Sequence, residues 1–145
     1  MSDYGRLQDD ADAVLALLRA IDGLTVYPAA GGGATVVPTG AQPPYVSVHL
    51  VADRPLGGRL THRSSRMRTR IYCHCVGADD IAARAVSDLV AGALLDVRPD
   101  IAGRACAPIR SEPGRDPRPD ESTGESVVTI TDVYRLESDP GSTGS

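Results

Sequence analysis

The sequence predicts one α+β domain, in which an antiparallel sheet of about four to five strands carries two helices on one face and has long polar loops. Its 145 residues match the size of a single domain. The patterns run in the order helix, strands, helix, strands. Neighbouring strand patterns are joined by loops rather than by helices, which favours antiparallel pairing. We expect the domain to span residues 9–137, after an N-terminal segment 1–8 and before a polar C-terminal tail 138–145.

The first helix is predicted over residues 9–22. Asp9 and Asp10 place acidic side chains in its first turn, where the helix dipole favours them, and Gly23 is suited to end it. Apolar residues recur at helical spacing and define one face. They are Leu7, Ala11, Val14, Leu15, Leu18 and Ile21. One side of this helix must therefore cover another layer.

The second helix is predicted to begin at Asp79 and Asp80 and to run to about Asp96. Capping explains the two aspartates, as it does the pair that starts the first helix. The helix is the most strongly periodic segment of the chain. We expect its apolar stripe to comprise Ile81, Ala85, Leu89, Ala93 and Leu94, broadened by Val86 and Val90.

Period-two alternation and turn residues divide the rest of the chain into strands and loops. The strand patterns are Leu24–Tyr27, a short extended piece at Ala34–Val37, Tyr45–Ala52, Arg63–Val76, Arg104–Arg110 (cut by Pro108) and Ser126–Leu136. The polar, proline-rich stretch 111–125 is predicted to be a long loop. In the Tyr45–Ala52 pattern, one face carries Val46, Val48, Leu50 and Ala52, and the other carries Tyr45, Ser47, His49 and Val51.

The arginine-rich strand separates two unlike sets of side chains. The set that we expect in the core is Met67, Thr69, Ile71, Cys73 and Cys75. The set on the opposite face is Arg66, Arg68, Arg70, Tyr72 and His74. That polar face is either an ordinary solvated surface or a contact surface for another subunit, reached through acidic residues. The acidic candidates lie in the long loop and are Asp116, Asp120, Glu121 and Glu125.

The tripeptide Cys73-His74-Cys75 invites a zinc or thiol interpretation, which strand geometry disfavours. One intervening residue on a straight strand holds the two sulfurs apart, whereas structural zinc sites usually place their cysteines on a turn. His74 points to the other face, so it is not a natural base for a cysteine nucleophile. A site would also need Cys106, on a separate segment. We expect Cys73 and Cys75 to be buried as small apolar residues.

Composition excludes several other functions. All 15 basic residues are arginine, so lysine-dependent phosphate loops and Schiff bases are ruled out. Gly31-Gly32-Gly33 leads into an extended segment rather than a helix, which indicates a flexible loop instead of a phosphate cradle. The opening residues lack a signal-peptide pattern, so we expect reduced thiols. The longest apolar stretches are helix-sized and interrupted by charge, so we expect no membrane span. We expect no catalytic residues, metal or cofactor.

The arrangement resembles the tail terminator (tail completion) proteins of long-tailed, siphovirus-type bacteriophages. The resemblance lies in the opening helix "DDADAVLALLRAIDG", then "PPYVSVHLVADRP" and "RMRTRIYCHCVGADDIAARAVSDLVAGALLD", and finally "SVVTITDVYRLES" after a long loop. It covers roughly residues 9–137. In that family, an alternating strand that ends in Gly-x-Asp before an Ala-rich helix is a recurring core.

The resemblance implies a structural protein of the virion rather than an enzyme. Such proteins form a hexameric ring that caps the head-proximal end of the tail tube, stops its polymerisation and offers a docking surface to the head connector. The implied partners are further copies of the chain, the tail tube protein and the head-tail connector or stopper protein. Genomic DNA passes through the lumen without sequence-specific binding. The implied location is the tail-neck junction, after assembly in the host cytoplasm.

The contact residues are a prediction from the strand pattern and the long loop. They are Arg66, Arg68, Arg70, Tyr72, His74, Arg115, Asp116, Arg118, Asp120 and Glu121. Two alternatives remain open at this point. One is another neck protein, such as a head-closure or head-tail joining subunit. The other is a small zinc- or thiol-dependent enzyme that uses Cys73, Cys75 and Cys106.

Overall fold

A computed structural model describes residues 7–28, 37, 41–53, 67–112, 118–120 and 127–140. Two helices and seven strands follow one another in this part of the chain. Their bounds are α1 Leu7–Arg19, β1 Thr25–Pro28, β2 Tyr45–Asp53, β3 Met67–Gly77, α2 Asp80–Leu94, β4 Arg104–Cys106, β5 Arg110–Glu112, β6 Arg118–Asp120 and β7 Val127–Pro140. The α+β class predicted from the sequence is confirmed.

The strands form one mixed sheet in the order β1-β2-β3-β7-β4, and β5 and β6 also pair with β7. Antiparallel pairs join β2 to β3 and β3 to β7 along most of their lengths. The expectation of a wholly antiparallel sheet is wrong at one edge, where β1 runs parallel to β2. A parallel pair needs a long connection, and residues 29–44 supply it.

The sheet has more strands than the four to five expected because short segments line up along β7. The predicted Arg104–Arg110 strand is two strands, β4 and β5, on either side of Pro108. The predicted loop 111–125 contributes β6. Strand β7 continues to Pro140, beyond the expected end at Leu136, and pairs there with β4.

The core lies between the inner face of the sheet and the two helices. The inner side of β3 is fully buried as predicted, because Met67, Thr69, Ile71, Cys73 and Cys75 alternate with more exposed residues. The other buried residues of this cluster share the apolar faces of α1, α2, β2 and β7. They include Val14, Leu18, Val46, Val48, Val86, Val90, Leu94, Ile130, Tyr134 and Leu136.

Helix α1 is tied to the sheet by a buried polar contact. Its first-turn residue Asp10 is almost completely buried, and its Oδ2 atom accepts a hydrogen bond from Thr69 Oγ1 at 2.6 Å. The helix dipole favours an acidic residue at this point in a helix. Asp10 is buried because β3 lies beneath it. The helix begins at Leu7 and ends at Arg19, so it is shifted towards the N-terminus from the predicted 9–22.

Helix α2 starts as predicted but is rotated from the predicted phase. Asp79 is the N-cap and accepts a hydrogen bond from the Ala82 backbone nitrogen at 2.8 Å. The helix residues that face the core are Ala83, Val86, Val90 and Leu94. The expected core residues Ile81, Ala85 and Leu89 are exposed instead.

Close packing against Gly77 sets that rotation. A Cβ atom at Gly77 would lie only 2.3 Å from the Ala83 nitrogen and 2.5 Å from the Ala82 carbonyl carbon. The first turn of α2 therefore rests on the last residue of β3, which turns Ala83 towards the core. Helix α2 is apolar on two sides, so its spacing alone could not show which side is buried.

A second, smaller cluster covers one end of the outer sheet face. Its buried members are Ala41, Tyr45, Val76 and Val127. The ring of Tyr27 meets that of Tyr45 edge-on, with centroids 5.4 Å apart. The expected polar face is therefore confined to the remaining part of the outer surface.

Candidate functional site: the outer face of the sheet

The Cys-His-Cys tripeptide divides between the two faces of the sheet. Cys73 and Cys75 lie in the core, where burial raises the pKa of both thiols far above the ordinary value, aided by nearby Asp132. His74 lies on the outer face. Within the described ranges, no group of three His, Cys, Asp or Glu side chains could hold a metal ion. Both thiols stay protonated, so neither has the thiolate character that cysteine chemistry requires.

Asp132 is a polar residue of the inner face that sequence reasoning missed. Its Oδ2 atom accepts hydrogen bonds from Ser87 Oγ at 2.5 Å and from Cys75 Sγ at 3.8 Å. The carboxylate thus ties α2 to β7 and β3. The only sequence signal was its position between Ile130 and Tyr134, on the apolar side of an alternating strand. This contact holds the helix in place.

The outer face carries a connected set of charged side chains, which we call the arginine lattice. Its members are Arg68, Arg70, Glu112, Arg135 and Glu137. Glu137 Oε1 lies 3.0 Å from Arg68 Nε and 3.6 Å from Arg135 Nε. The Glu112 carboxylate lies 4.0 Å from both Arg70 and Arg135.

Strand register explains how the arginine lattice forms. Arg70 lies directly opposite Arg135 across β3 and β7, which would repel on its own. Glu112 on β5 is placed near both guanidinium groups and offsets that repulsion. Three arginines and two glutamates leave the lattice side chains with a net charge of +1. Arg68 and Arg70 remain exposed, so the ion pairs do not remove them from solvent.

Flat rings continue the same surface next to the lattice. The rings of His49 and Tyr72 stack with centroids 4.6 Å apart and an interplanar angle of 5°. His74 Nε2 lies 3.3 Å from His49 Nδ1, and His74 Nδ1 lies 3.0 Å from Thr131 Oγ1. Burial lowers the pKa of His49 below its ordinary value, which favours a neutral imidazole. We call Tyr72, His49 and His74 the ring ladder.

The predicted contact residues are only partly described. Arg68, Arg70, Tyr72 and His74 lie together on the outer face. Arg118 and Asp120 belong to β6, whose backbone pairs with β7 at Thr129 and Val127. Four others, together with Glu125, lie outside the described residues: Arg66, Arg115, Asp116 and Glu121. The contact role of all these residues remains a prediction.

Sequence reasoning missed four members of the surface, one of which is Arg135 on β7. His49 shares a face with Tyr45 and Ser47, but its stacking on Tyr72 depends on the register of β2 against β3. Glu112 lies in the predicted loop 111–125, and Glu137 is the last residue before the predicted tail 138–145. The resulting surface combines exposed guanidinium groups with flat rings, which are residue types enriched at protein interfaces.

Comparison with known proteins gives two findings. The family model described as "Tail completion protein gp17" matches residues 12–135. Among solved structures, the chain is similar to one chain of the "Virion of native gene transfer agent (GTA) particle", with a TM-score of 0.64 and 18% identity. That match covers 89% of this chain and 93% of the other, and at this identity it shows the fold alone. No curated protein has a significantly similar sequence. No helix in the described part of the chain is long and apolar enough to cross a membrane.

Proposed function

The chain belongs to the tail completion protein gp17 family, whose members are structural virion proteins and not enzymes, and we propose that it is a tail terminator. It closes the head-proximal end of the phage tail tube, stops tube polymerisation and joins the tail to the head connector. Six copies form a ring, and genomic DNA passes through its lumen without sequence-specific contacts. The family match over residues 12–135 is the observation that carries this proposal.

The outer sheet face supports a contact role within such an assembly. The three lattice arginines are balanced only in part by the two lattice glutamates. Arg68 and Arg70 stay exposed although Glu137 and Glu112 lie within ion-pair distance. Surface pairs of this kind add little stability, at most about 1 kcal/mol each. The guanidinium groups can therefore accept a second partner at small loss to the fold.

Tail length distinguishes a terminator from another neck protein. A phage or tailed particle lacking this chain is grown with and without a plasmid that supplies it, and tails are measured by electron microscopy. Overlong or irregular tubes that return to one length on complementation support the terminator. Tails of normal length that fail to join heads would instead indicate a head-closure or joining subunit.

A further inference from the structure

Helix α2 presents an apolar surface on the side away from the core. We call this surface the α2 ridge; it consists of Ile81, Ala85, Leu89 and Gly92. Their spacing of four, four and three residues places them on one helix face, opposite the buried Val86 and Val90. Ile81 is 75% exposed and Leu89 is 49% exposed. A helix that turns two large aliphatic residues to solvent has an apolar face that a partner could cover.

Gly92 provides a second and independent sign of a partner. A Cβ atom added there meets nothing within 4 Å, so packing within the described chain does not require glycine. Its backbone does not require glycine either, because the positive φ angles of described glycines are at Gly23 and Gly103. Glycine inside a helix is less stable than alanine. A close approach of another backbone along the ridge is a physical reason to keep a bare Cα at this point.

The charges beside the ridge indicate which surface covers it. Asp79, Asp80 and Asp88 are exposed around the ridge with one arginine, Arg84, so these four side chains carry a net charge of −2. Two α2 ridges facing each other would bring like charges together. The arginine lattice, with its net charge of +1, has the opposite sign.

The outer sheet face also has an apolar element to meet the ridge. Val51 is 46% exposed on β2, directly opposite Arg70 of the arginine lattice. The stacked rings of His49 and Tyr72 lie next to it along the two strands. An interface needs an apolar centre with a polar rim, and both surfaces have this composition.

We propose that the α2 ridge binds the outer sheet face of a second copy of this chain, an inference that rests on the proposed ring. Helix α2 covers the inner face of the sheet, so the ridge and the arginine lattice lie on opposite sides of the molecule. A contact between two unlike surfaces is heterologous and continues from copy to copy until rotation closes it. The acidic flank of α2 then meets the lattice arginines of its neighbour.

A matched pair of helix-surface substitutions tests the ridge. Ala85→Glu places a carboxylate on the ridge, and Ala16→Glu makes the same change at an exposed position of α1. Analytical ultracentrifugation of the full chain over a concentration series measures self-association. We expect Ala85→Glu to weaken association by about tenfold or more, through charge and desolvation, and Ala16→Glu to leave it unchanged. Equal association of both variants would overturn the proposal.

Gly92→Ala separates the interface from the stability of the fold. This variant should melt at or above the wild-type temperature, because alanine favours the helix. It should nevertheless associate more weakly, because its methyl group holds the neighbouring copy away. A more stable protein that associates as well as wild type would contradict the close approach at this position.

Mixing two variants tests which surfaces meet. An Ala85→Glu chain retains its sheet face, and a chain with Arg68→Glu and Arg70→Glu retains its ridge. If the contact is heterologous, each variant alone is monomeric and the mixture forms a one-to-one dimer that grows no further. If ridges pair with ridges, the arginine variant associates alone, which would overturn the proposal.

Failure of this inference can be told apart from failure of the proposed function. A wild-type chain that stays monomeric at high concentration overturns both the ring and the ridge contact, whereas the tail-length assay judges the terminator role separately. Rings that form normally from Ala85→Glu would overturn the ridge contact and leave the terminator standing.

Discussion

Replacing Gly77 with alanine should destabilise the protein by disturbing the start of α2. The added Cβ would lie 2.3 Å from the Ala83 nitrogen, 2.5 Å from the Ala82 carbonyl carbon and 2.7 Å from the Ala82 Cβ atom. Two of these three atoms are backbone, which cannot rotate away. The first turn of the helix would have to move by about 1 Å to restore ordinary van der Waals contact.

The loss of unfolding free energy in Gly77→Ala depends on the contacts that are disrupted when the first turn of α2 moves. Overpacking a well-packed site costs about 1–3 kcal/mol. The same displacement strains the 2.8 Å hydrogen bond from the Ala82 nitrogen to Asp79, and loss of an N-cap costs about 1 kcal/mol. We therefore expect Gly77→Ala to lower the free energy of unfolding by roughly 2–4 kcal/mol.

Urea denaturation followed by circular dichroism measures this loss, with Gly92→Ala as the matched control. Both variants add one methyl group to a glycine at or in α2, but nothing lies within 4 Å of a Cβ at Gly92. The control should be as stable as wild type or more stable. A Gly77→Ala protein with a wild-type midpoint and slope would refute the close-packing explanation of the phase of α2.

Three further predictions concern the two sheet faces. The triple variant Arg66→Ser, Arg68→Ser and Arg70→Ser should fold, as measured by circular dichroism, but assemble poorly, as measured by sedimentation. Normal assembly and normal tail capping would show that these arginines are not contact residues. Iodoacetamide at neutral pH should label the half-buried Cys106 far faster than Cys73 and Cys75, because burial strongly raises the pKa of the two core thiols. Mass spectrometry of peptides measures the labelling of each cysteine, and equal rates at all three would contradict the burial of Cys73 and Cys75. Burial lowers the pKa of His49, so the unfolded chain binds a proton at this imidazole more readily than the folded chain does, and the free energy of unfolding should fall as the pH drops below about 6.5. The pH dependence of the urea midpoint should be weaker in His49→Gln than in wild type. An equal pH dependence in the two proteins would contradict a role for His49.

Strand alternation correctly predicted which side chains of β3 lie on each face of the sheet. Cys73 and Cys75 were separated from His74 by period two alone, and the structure has the cysteines in the core and the histidine outside. That prediction needed no partner strand, because the pleat fixes the direction of each side chain. The polar and apolar faces of β3 could therefore be assigned from the sequence.

Features that depend on contacts between distant segments could not be predicted in this way. The phase of α2 depends on Gly77 beneath Ala83, since Ile81 and Leu89 fit a helical apolar stripe as well as Val86 and Val90 do. The parallel pairing of β1 with β2 is a contact between separate segments that the strand residues alone do not specify.

The candidate surface was likewise predictable within one strand but not between strands. Arg68, Arg70, Tyr72 and His74 were placed together by alternation along one strand. The partners that organise them come from other strands, and their positions follow from register. Glu137 lies directly before the predicted tail 138–145, and pairing with β3 and β4 continues the strand through and beyond it.

Native mass spectrometry of the purified full chain tests the proposed ring most directly. A tail terminator should give a six-subunit species that grows with protein concentration, at the expense of the monomer. Ala85→Glu should shift the distribution towards the monomer while Ala16→Glu does not. A chain that remains monomeric over the whole concentration range would contradict the ring.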